Sequence, residues 1–119
     1  MFKELSYTLN GIFFKVHNDL GRFCRERQYA DAIEQLLKEK ELLFQREYPI
    51  PLGTDIGPTS NRVDFWVNNE VILELKAKPL ISKDDYFQMR RYLVAAKCRL
   101  GLLVNFRNYR VTIKRVIVD

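Results

Sequence analysis

Apolar residues in the first third of the chain recur every three or four positions, which is the spacing of an amphipathic helix. Two such series flank Gly21; they comprise Leu9, Ile12, Phe13, Val16 and Leu20 before it, and Tyr29, Ile33, Leu36 and Leu37 after it. We therefore predict two helical pieces separated at Gly21. The charges beside the apolar positions are mixed in sign, so these faces are expected to cover a sheet.

Beyond these helices the pattern changes to short β-prone runs bounded by turn residues. The predicted strands are Leu42–Ile50, Arg62–Val67, Val71–Ala77, Leu100–Phe106 and Tyr109–Val118. After Pro51, an exposed loop is expected around Gly53, Gly57 and Pro58. Asn68 and Asn69 tolerate left-handed backbone and indicate a tight turn between the second and third strands. The fourth strand, "GLLVNF", is apolar enough to lie in the interior of a sheet.

A third helix is predicted after Pro79, which ends the third strand. Ser82 with Asp85 three residues later is typical of a capping box. The helix is expected to run to about residue 96, with Phe87, Leu93 and Val94 among its apolar positions. The order of helix, three strands, helix and two strands predicts an α/β fold.

The length of 119 residues suits one domain, residues 1–119, with a single core. The N-terminal stretch lacks the long apolar region and small-residue cleavage site of a signal peptide. No segment approaches the roughly 20 apolar residues of a membrane-spanning helix. We therefore expect a soluble, cytoplasmic protein without a membrane partner.

Cysteine and histidine are too few for several kinds of site. Cys24 and Cys98 lack CxxC spacing, and His17 is the single histidine, so the sequence favours neither a disulfide scaffold nor a zinc centre. His17 falls within a helical pattern, where a packing or surface role is favoured over membership of a catalytic triad.

The net charge of +5 favours polyanionic partners such as nucleic acid, but a solvated basic surface gives the same value.

Two charged residues interrupt the otherwise apolar third strand. Because side chains alternate along a strand, Glu74 and Lys76 share one face with Ile72. On the second strand, Asp64 shares a face with Arg62 and Trp66. Whether that face also carries Glu74 depends on the turn between the strands.

The number of residues in the turn decides the register. A two-residue loop, Asn68-Asn69, sets Asp64 opposite Leu73 and sends the two carboxylates to opposite faces. An odd loop centred on Asn69 sets Asp64 directly across from Glu74, with the Cβ atoms about 5 Å apart. We expect the odd loop, or a bulge with the same effect.

Two carboxylates at this distance repel each other unless a cation lies between them. With no His or Cys nearby, Asp64 and Glu74 suit Mg²⁺ or Mn²⁺ as hard oxygen ligands. Lys76 is placed to hold a water or the scissile phosphate and to activate the water, so the set fits phosphodiester hydrolysis. The alternative is structural: Asp64 caps a strand end and Glu74 pairs with Lys76 or Arg62.

The spacing of Asp64, nine intervening residues and Glu74-Leu75-Lys76 resembles the core motif of the PD-(D/E)XK nuclease superfamily. The predicted element order is also similar to that superfamily's restriction-endonuclease-like αβββαβ core, a mixed central sheet flanked by helices. The run from Gln88 to Tyr92 resembles the QxxxY motif of its lambda-exonuclease-like branch.

The chain more closely resembles one subgroup, the GxxExxY protein family. "VHNDLG", Glu26 with Tyr29, "VDFWV", "VILELKA", "QMRRYL" and "GLLVNF" follow that family's order over about residues 10 to 117. Phe23 replaces the glycine of the name motif, and Val63 replaces the usual proline before the acid. By resemblance, Glu26 is an additional acid facing the metal.

The resemblance also implies that Gln88 orients water or phosphate and that Tyr92 packs beside the site. It implies Mg²⁺-dependent cleavage of nucleic acid, with DNA expected. Further alternatives are a catalytically silent module that binds nucleic acid or a protein partner, and a dimerisation domain. Arginines and lysines that could contact phosphates are Arg22, Arg25, Arg27, Arg90, Arg91, Lys97, Arg99, Arg107 and Arg110.

Overall fold

The computed structural model describes residues 2–51 and 61–119, which form three helices and five strands. The elements are α1 (Phe2–Leu20), α2 (Glu26–Glu39), β1 (Phe44–Pro49), β2 (Arg62–Val67), β3 (Val71–Lys76), α3 (Lys83–Ala96), β4 (Leu100–Asn105) and β5 (Thr112–Ile117). Every predicted element is present, and the strands other than β2 are shorter than predicted. The loop expected around Gly53, Gly57 and Pro58 lies outside the described residues.

The five strands form one mixed sheet in the order β1-β2-β3-β4-β5. Strands β3 and β4 are parallel, and every other neighbouring pair is antiparallel. The α/β class, with a mixed sheet flanked by helices, is therefore confirmed. All six residues of β4 are buried, as expected for an interior strand.

Helices α1 and α2 pack on one face of the sheet. Gly21 adopts a φ of 78°, a left-handed conformation that ends α1, so the predicted break between the two helices is confirmed. In α2, Tyr29 is fully buried and its ring stacks on that of Phe106 at 4.2 Å between centroids. Its hydroxyl donates a hydrogen bond to the Gly21 carbonyl at 2.6 Å, which ties the break to the core.

Helix α3 packs on the other face and begins at the predicted capping box. Ser82 Oγ accepts a hydrogen bond from the Asp85 amide at 3.2 Å, and Asp85 Oδ2 accepts one from the Ser82 amide at 2.8 Å. The apolar positions of α3 divide between core and solvent, since Leu93 is buried whereas Phe87 and Val94 are 52% and 65% exposed. The residues that α3 buries are Met89, Tyr92 and Leu93.

The position of α3 explains this difference. A Cβ atom added at Gly101 of β4 would collide with Met89 Sδ, so the helix approaches the sheet through Met89. Residues 89, 92 and 93 form a narrow stripe at helical spacing. Phe87 and Val94 lie off that stripe and therefore face solvent.

His17 is a packing residue, as the sequence indicated. Its side chain is buried, and Nε2 lies 3.1 Å from the Phe106 carbonyl oxygen and 3.0 Å from that of Asn108. Since both neighbours are acceptors, Nε2 carries a proton and donates to them. Cys24 and Cys98 are both free thiols. No helix in the described ranges is long and apolar enough to cross a membrane.

Candidate active site at the fork between two strands

The turn between β2 and β3 contains three residues. The final ladder pair joins Val67 to Val71, which leaves residues 68–70 as the loop. Asn68 and Asn69 take left-handed φ values of 57° and 56°, a conformation that asparagine tolerates better than most residues. The odd-loop register is therefore confirmed.

This register brings the two acids together at the end of the ladder. Phe65 lies opposite Leu73 in the last ladder pair, and Asp64 and Glu74 are the next residues on the two strands. The pairing of Asp64 with Leu73, which a two-residue loop requires, does not occur. Both side chains are half-buried.

The β2–β3 ladder ends just before the acids, so the strands form a fork. Ladder pairing with β2 stops at Leu73, whereas β3 stays paired with β4 as far as Lys76. The carboxylates bridge the opening: the Asp64 amide donates to Glu74 Oε1 at 2.8 Å, and the Leu75 amide donates to Asp64 Oδ2 at 2.7 Å. Each acid is thus fixed by the backbone of the opposite strand.

Strand β1 is also irregular beside Asp64. Its ladder with β2 skips Glu47, which has a left-handed φ of 52°, and resumes at Tyr48. Asp64 consequently lacks a ladder partner on both neighbouring strands among the described residues. A positive φ is a costly conformation for a non-glycine residue, and residues in such conformations are often found near functional sites.

Burial and mutual repulsion both disfavour the charged forms of the acids. Burial, followed by the neighbouring charge of Asp64, raises the pKa of Glu74 to about 8. Burial also raises the pKa of Asp64, against the lowering effect of the hydrogen bond from the Leu75 amide. Glu26 raises both pKa values further and Lys76 lowers both, and the net effect is that protonation of the two acids is favoured.

These residues fit a hard divalent cation. Each carboxylate uses one oxygen for a backbone amide, and no hydrogen bond within the described ranges uses the other oxygen. Carboxylate oxygens suit Mg²⁺ or Mn²⁺, which retain several waters and need few protein ligands. Within residues 2–51 and 61–119, however, no three or more His, Cys, Asp or Glu residues are grouped closely enough to hold a metal.

Lys76 lies one strand repeat beyond Glu74 and has a carboxylate partner on α3. Its Nζ is 3.6 Å from Asp85 Oδ1, and the Lys78 ammonium contacts Asp85 Oδ2. Asp85 is half-buried, which by itself would raise its pKa. The hydrogen bonds from Lys78 and Ser82 outweigh burial and lower the pKa of Asp85 to about 2.

The sequence of the chain matches a known protein family. A family model described as the PD-(D/E)XK nuclease superfamily matches residues 3–116, almost the whole chain. The chain belongs to this superfamily. A search of curated proteins found no significant match. Superfamily membership indicates a nuclease-like function, and PD-(D/E)XK nucleases generally use divalent metal ions.

Glu26, the additional acid implied by resemblance to the GxxExxY branch of the superfamily, is the first residue of α2 and is exposed. It lines a pocket of about 460 Å³ together with Asp64 and Arg46. Its negative charge raises the pKa values of Asp64 and Glu74. Among the described residues, however, it does not complete a three-ligand group.

Gln88, expected by resemblance to the QxxxY motif of one branch, lies one helical turn after Asp85, on the side of α3 that carries the contact with Lys76. It is half-buried, and no hydrogen bond joins its amide to another described residue. Tyr92, four residues further, is 4% exposed and belongs to the core between α3 and the sheet. The packing role expected for Tyr92 is therefore confirmed.

Asn105 is a site-associated residue that sequence reasoning missed. It is 1% exposed and pairs with Lys76 in the parallel ladder. Its Nδ2 donates to the Lys78 carbonyl at 2.7 Å, and its Oδ1 accepts from the amides of Lys78 and Arg107 at 3.3 and 3.2 Å. One amide side chain thus fixes the segment that follows Lys76. The sequence contained one signal for this role, since Asn105 is a polar residue within the apolar run "GLLVNF".

Proposed function

We propose that this protein is a Mg²⁺- or Mn²⁺-dependent nuclease that hydrolyses phosphodiester bonds in nucleic acid, with DNA as the expected substrate. The observation that supports this most directly is the fork, where Asp64 and Glu74 face each other with raised pKa values. Two partly buried acids with raised pKa values mark a candidate functional site, and a bound cation would stabilise their charged forms. The chain's net charge of +5 favours the approach of a polyanion.

Asp64 and Glu74 would hold the metal. When bound, the ion would lower the pKa of a coordinated water and offset negative charge developing on the phosphate. The backbone hydrogen bonds at 2.8 and 2.7 Å already orient both carboxylates, so the ligands need little rearrangement. Glu26 would contribute as an additional acid at the mouth of the site.

Lys76 would provide positive charge beside the reacting phosphate. Because Asp85 lies next to it, we assign Lys76 the role of an ammonium that holds and polarises the attacking water or a phosphate oxygen. Gln88 would orient the same water or phosphate through its side-chain amide, which has no hydrogen-bonding partner among the described residues.

The direct test is cleavage of labelled DNA by purified protein with Mg²⁺ or Mn²⁺, compared with EDTA. Asp64→Asn, Glu74→Gln and Lys76→Ala should each reduce the rate by about a hundredfold or more, because each removes charge at the reacting centre. Lys83→Ala, which removes an exposed lysine at the start of α3, is the matched control and should cleave normally. Cleavage that persists in Asp64→Asn and Lys76→Ala would refute the proposed site.

A second candidate is a catalytically silent module that binds nucleic acid or a protein partner. The observation that favours it is the absence of a third acidic ligand within residues 2–51 and 61–119. Metal-independent binding to oligonucleotides, without turnover of single-stranded, duplex, branched DNA or RNA, would select this function. A homodimer remains a further proposal, which sedimentation at several protein concentrations tests directly.

We also infer that the chain belongs to the GxxExxY branch and acts in the cytoplasm. The first inference is supported by Glu26 and Tyr29, at the spacing of that motif. The second is supported by Cys24 and Cys98, whose unpaired thiols suit a reducing compartment.

A further inference from the structure

We propose that a second pocket, beside the C-terminal end of α1, binds an unpaired nucleic-acid strand and thereby selects substrates with single-stranded ends. The pocket has a volume of about 560 Å³, and its lining includes Phe14, Arg22, Tyr109 and Arg110. This inference rests on the proposed nuclease function and names the form of nucleic acid that the site would accept.

The aromatic side chains of the pocket are unusually exposed. The exposed fractions are 51% for Phe14 and 81% for Tyr109, and the adjacent Phe23 is 76% exposed. The Arg22 guanidinium lies over the Phe23 ring, 4.9 Å from its centroid. Aromatic rings interleaved with arginines are the usual composition of surfaces that stack unpaired bases and contact the phosphates between them.

The arginines of the pocket are available to phosphate. No carboxylate of the described residues forms an ion pair with Arg22 or Arg110, whereas Arg46, near the other pocket, is bonded to Asp31 and Glu34. His17 also lines the pocket, but its Nε2 proton is already donated to two carbonyl oxygens. The free positive charges therefore belong to arginines, which suit phosphate groups in any base sequence.

The pocket lies at the same end of the sheet as the catalytic fork. Lys76 is paired with Asn105 at the end of β4, and the loop that follows β4 carries Tyr109 and Arg110. On the α1 side, four residues of chain lead from Arg22 to Glu26, which lines the pocket containing Asp64. Such a stretch spans at most about 14 Å, so one extended strand can reach both pockets.

A second copy of this chain is the other occupant to consider for exposed rings. Self-association would bring Arg22 and Arg110 of two molecules towards each other without carboxylates to neutralise them, which disfavours it. A nucleic-acid strand supplies both the flat apolar surfaces and the negative charges. The combination of charge and aromatic exposure therefore favours the strand.

The test is binding of fluorescent oligonucleotides in EDTA, measured by anisotropy as a function of salt. The probes are a single strand, a blunt duplex, and the same duplex with a single-stranded tail. We expect the tailed and single-stranded probes to bind at least tenfold more tightly than the blunt duplex. Tyr109→Ala and Phe14→Ala should remove most of that difference, because each ring stacks a base.

Tyr7→Ala is the matched control. Tyr7 is a tyrosine on α1 that is 82% exposed and lines a different pocket, so its loss should leave all three affinities unchanged. Arg22→Gln and Arg110→Gln should flatten the dependence of affinity on salt by about one phosphate contact each. Thermal unfolding of every variant checks that the fold is retained.

Equal affinity of the wild-type protein for tailed and blunt probes would overturn the inference. So would tail binding that is unchanged in Tyr109→Ala and Phe14→Ala, or self-association that those substitutions abolish. Because binding is measured without metal, this failure is distinct from failure of the nuclease proposal. The nuclease proposal would instead be refuted by cleavage that does not depend on Asp64 and Lys76.

Discussion

The backbone amide of Asp64 donates a hydrogen bond to Glu74 Oε1 at 2.8 Å, so one proposed metal ligand is held by the main chain of the other. The Leu75 amide returns a similar bond to Asp64 Oδ2 at 2.7 Å. These bonds give the Asp64 and Leu75 amides acceptors where the pairing between β2 and β3 has ended. The fork therefore satisfies the buried backbone groups and orients the acids at the same time.

The first prediction concerns stability without metal. A carboxylate whose pKa is raised by folding binds protons more tightly in the native state, so stability falls as pH rises. For Glu74, with a pKa of about 8 against an ordinary value of 4.5, the loss extends across that interval. Urea denaturation in EDTA should give a lower free energy of unfolding at pH 8 than at pH 5.

Glu74→Gln should largely remove this pH dependence. The glutamine oxygen can still accept from the Asp64 amide, while the buried charge is lost. The variant should therefore be more stable than wild type at pH 8 by about 1 kcal/mol or more, since one pKa unit corresponds to about 1.4 kcal/mol. A wild-type protein whose stability is constant from pH 5 to pH 8 would contradict the prediction.

The second prediction concerns metal binding. Because protons and a divalent cation compete for the same oxygens, Mg²⁺ or Mn²⁺ should raise the unfolding temperature more at pH 8 than at pH 5.5. Asp64→Asn and Glu74→Gln should each reduce the shift, and the double variant should abolish it. An undiminished metal shift in the double variant would locate the cation elsewhere.

The third prediction concerns the partner of Lys76. Asp85→Asn retains an acceptor for the Ser82 amide but removes the negative charge facing Lys76 and Lys78. We expect cleavage to fall by up to about a hundredfold, because Lys76 loses the contact that positions it. Stability at pH 7 should fall by about 1 kcal/mol.

Asp84→Asn is the control, since Asp84 is exposed in the same helical turn and should change stability by less than about 0.5 kcal/mol. The lowered pKa of Asp85, about 2, means that its contribution is present above the ordinary value of 3.8 and is lost as pH falls towards 2. Asp85→Asn should lack this acid-sensitive contribution. Equal effects of the two substitutions on cleavage would argue against a specific role for Asp85.

The fourth prediction concerns Asn105. Asn105→Ala leaves the backbone groups of Lys78 and the Arg107 amide without their partner, which should cost about 2 kcal/mol. Cleavage measured well below the unfolding temperature should also fall, because the segment after Lys76 loses its anchor. Asn108→Ala removes only a 3.5 Å contact with Thr112 and should be nearly neutral. Full activity in Asn105→Ala would assign Asn105 to stability alone.

Much of the fold is encoded locally. The break at Gly21, the Ser82–Asp85 capping box and the strand alternation each depend on residues a few positions apart, so the pattern predicts them. Phe87 and Val94 face solvent because α3 contacts the sheet through a narrow stripe that begins at Met89, which depends on the approach at Gly101. An apolar residue on a helix does not by itself reveal which side the sheet occupies.

By itself the sequence determined the alternation that pairs Glu74 with Lys76, a turn near Asn69 and the spacing from Asp64, because steric and hydrogen-bonding preferences act over neighbouring residues. Only the tertiary structure decided between the two registers, placed Asp85 beside Lys76 and buried Asn105 against Lys78. It also set the pKa of Glu74, since desolvation and charge repulsion depend on which distant segments surround a carboxylate.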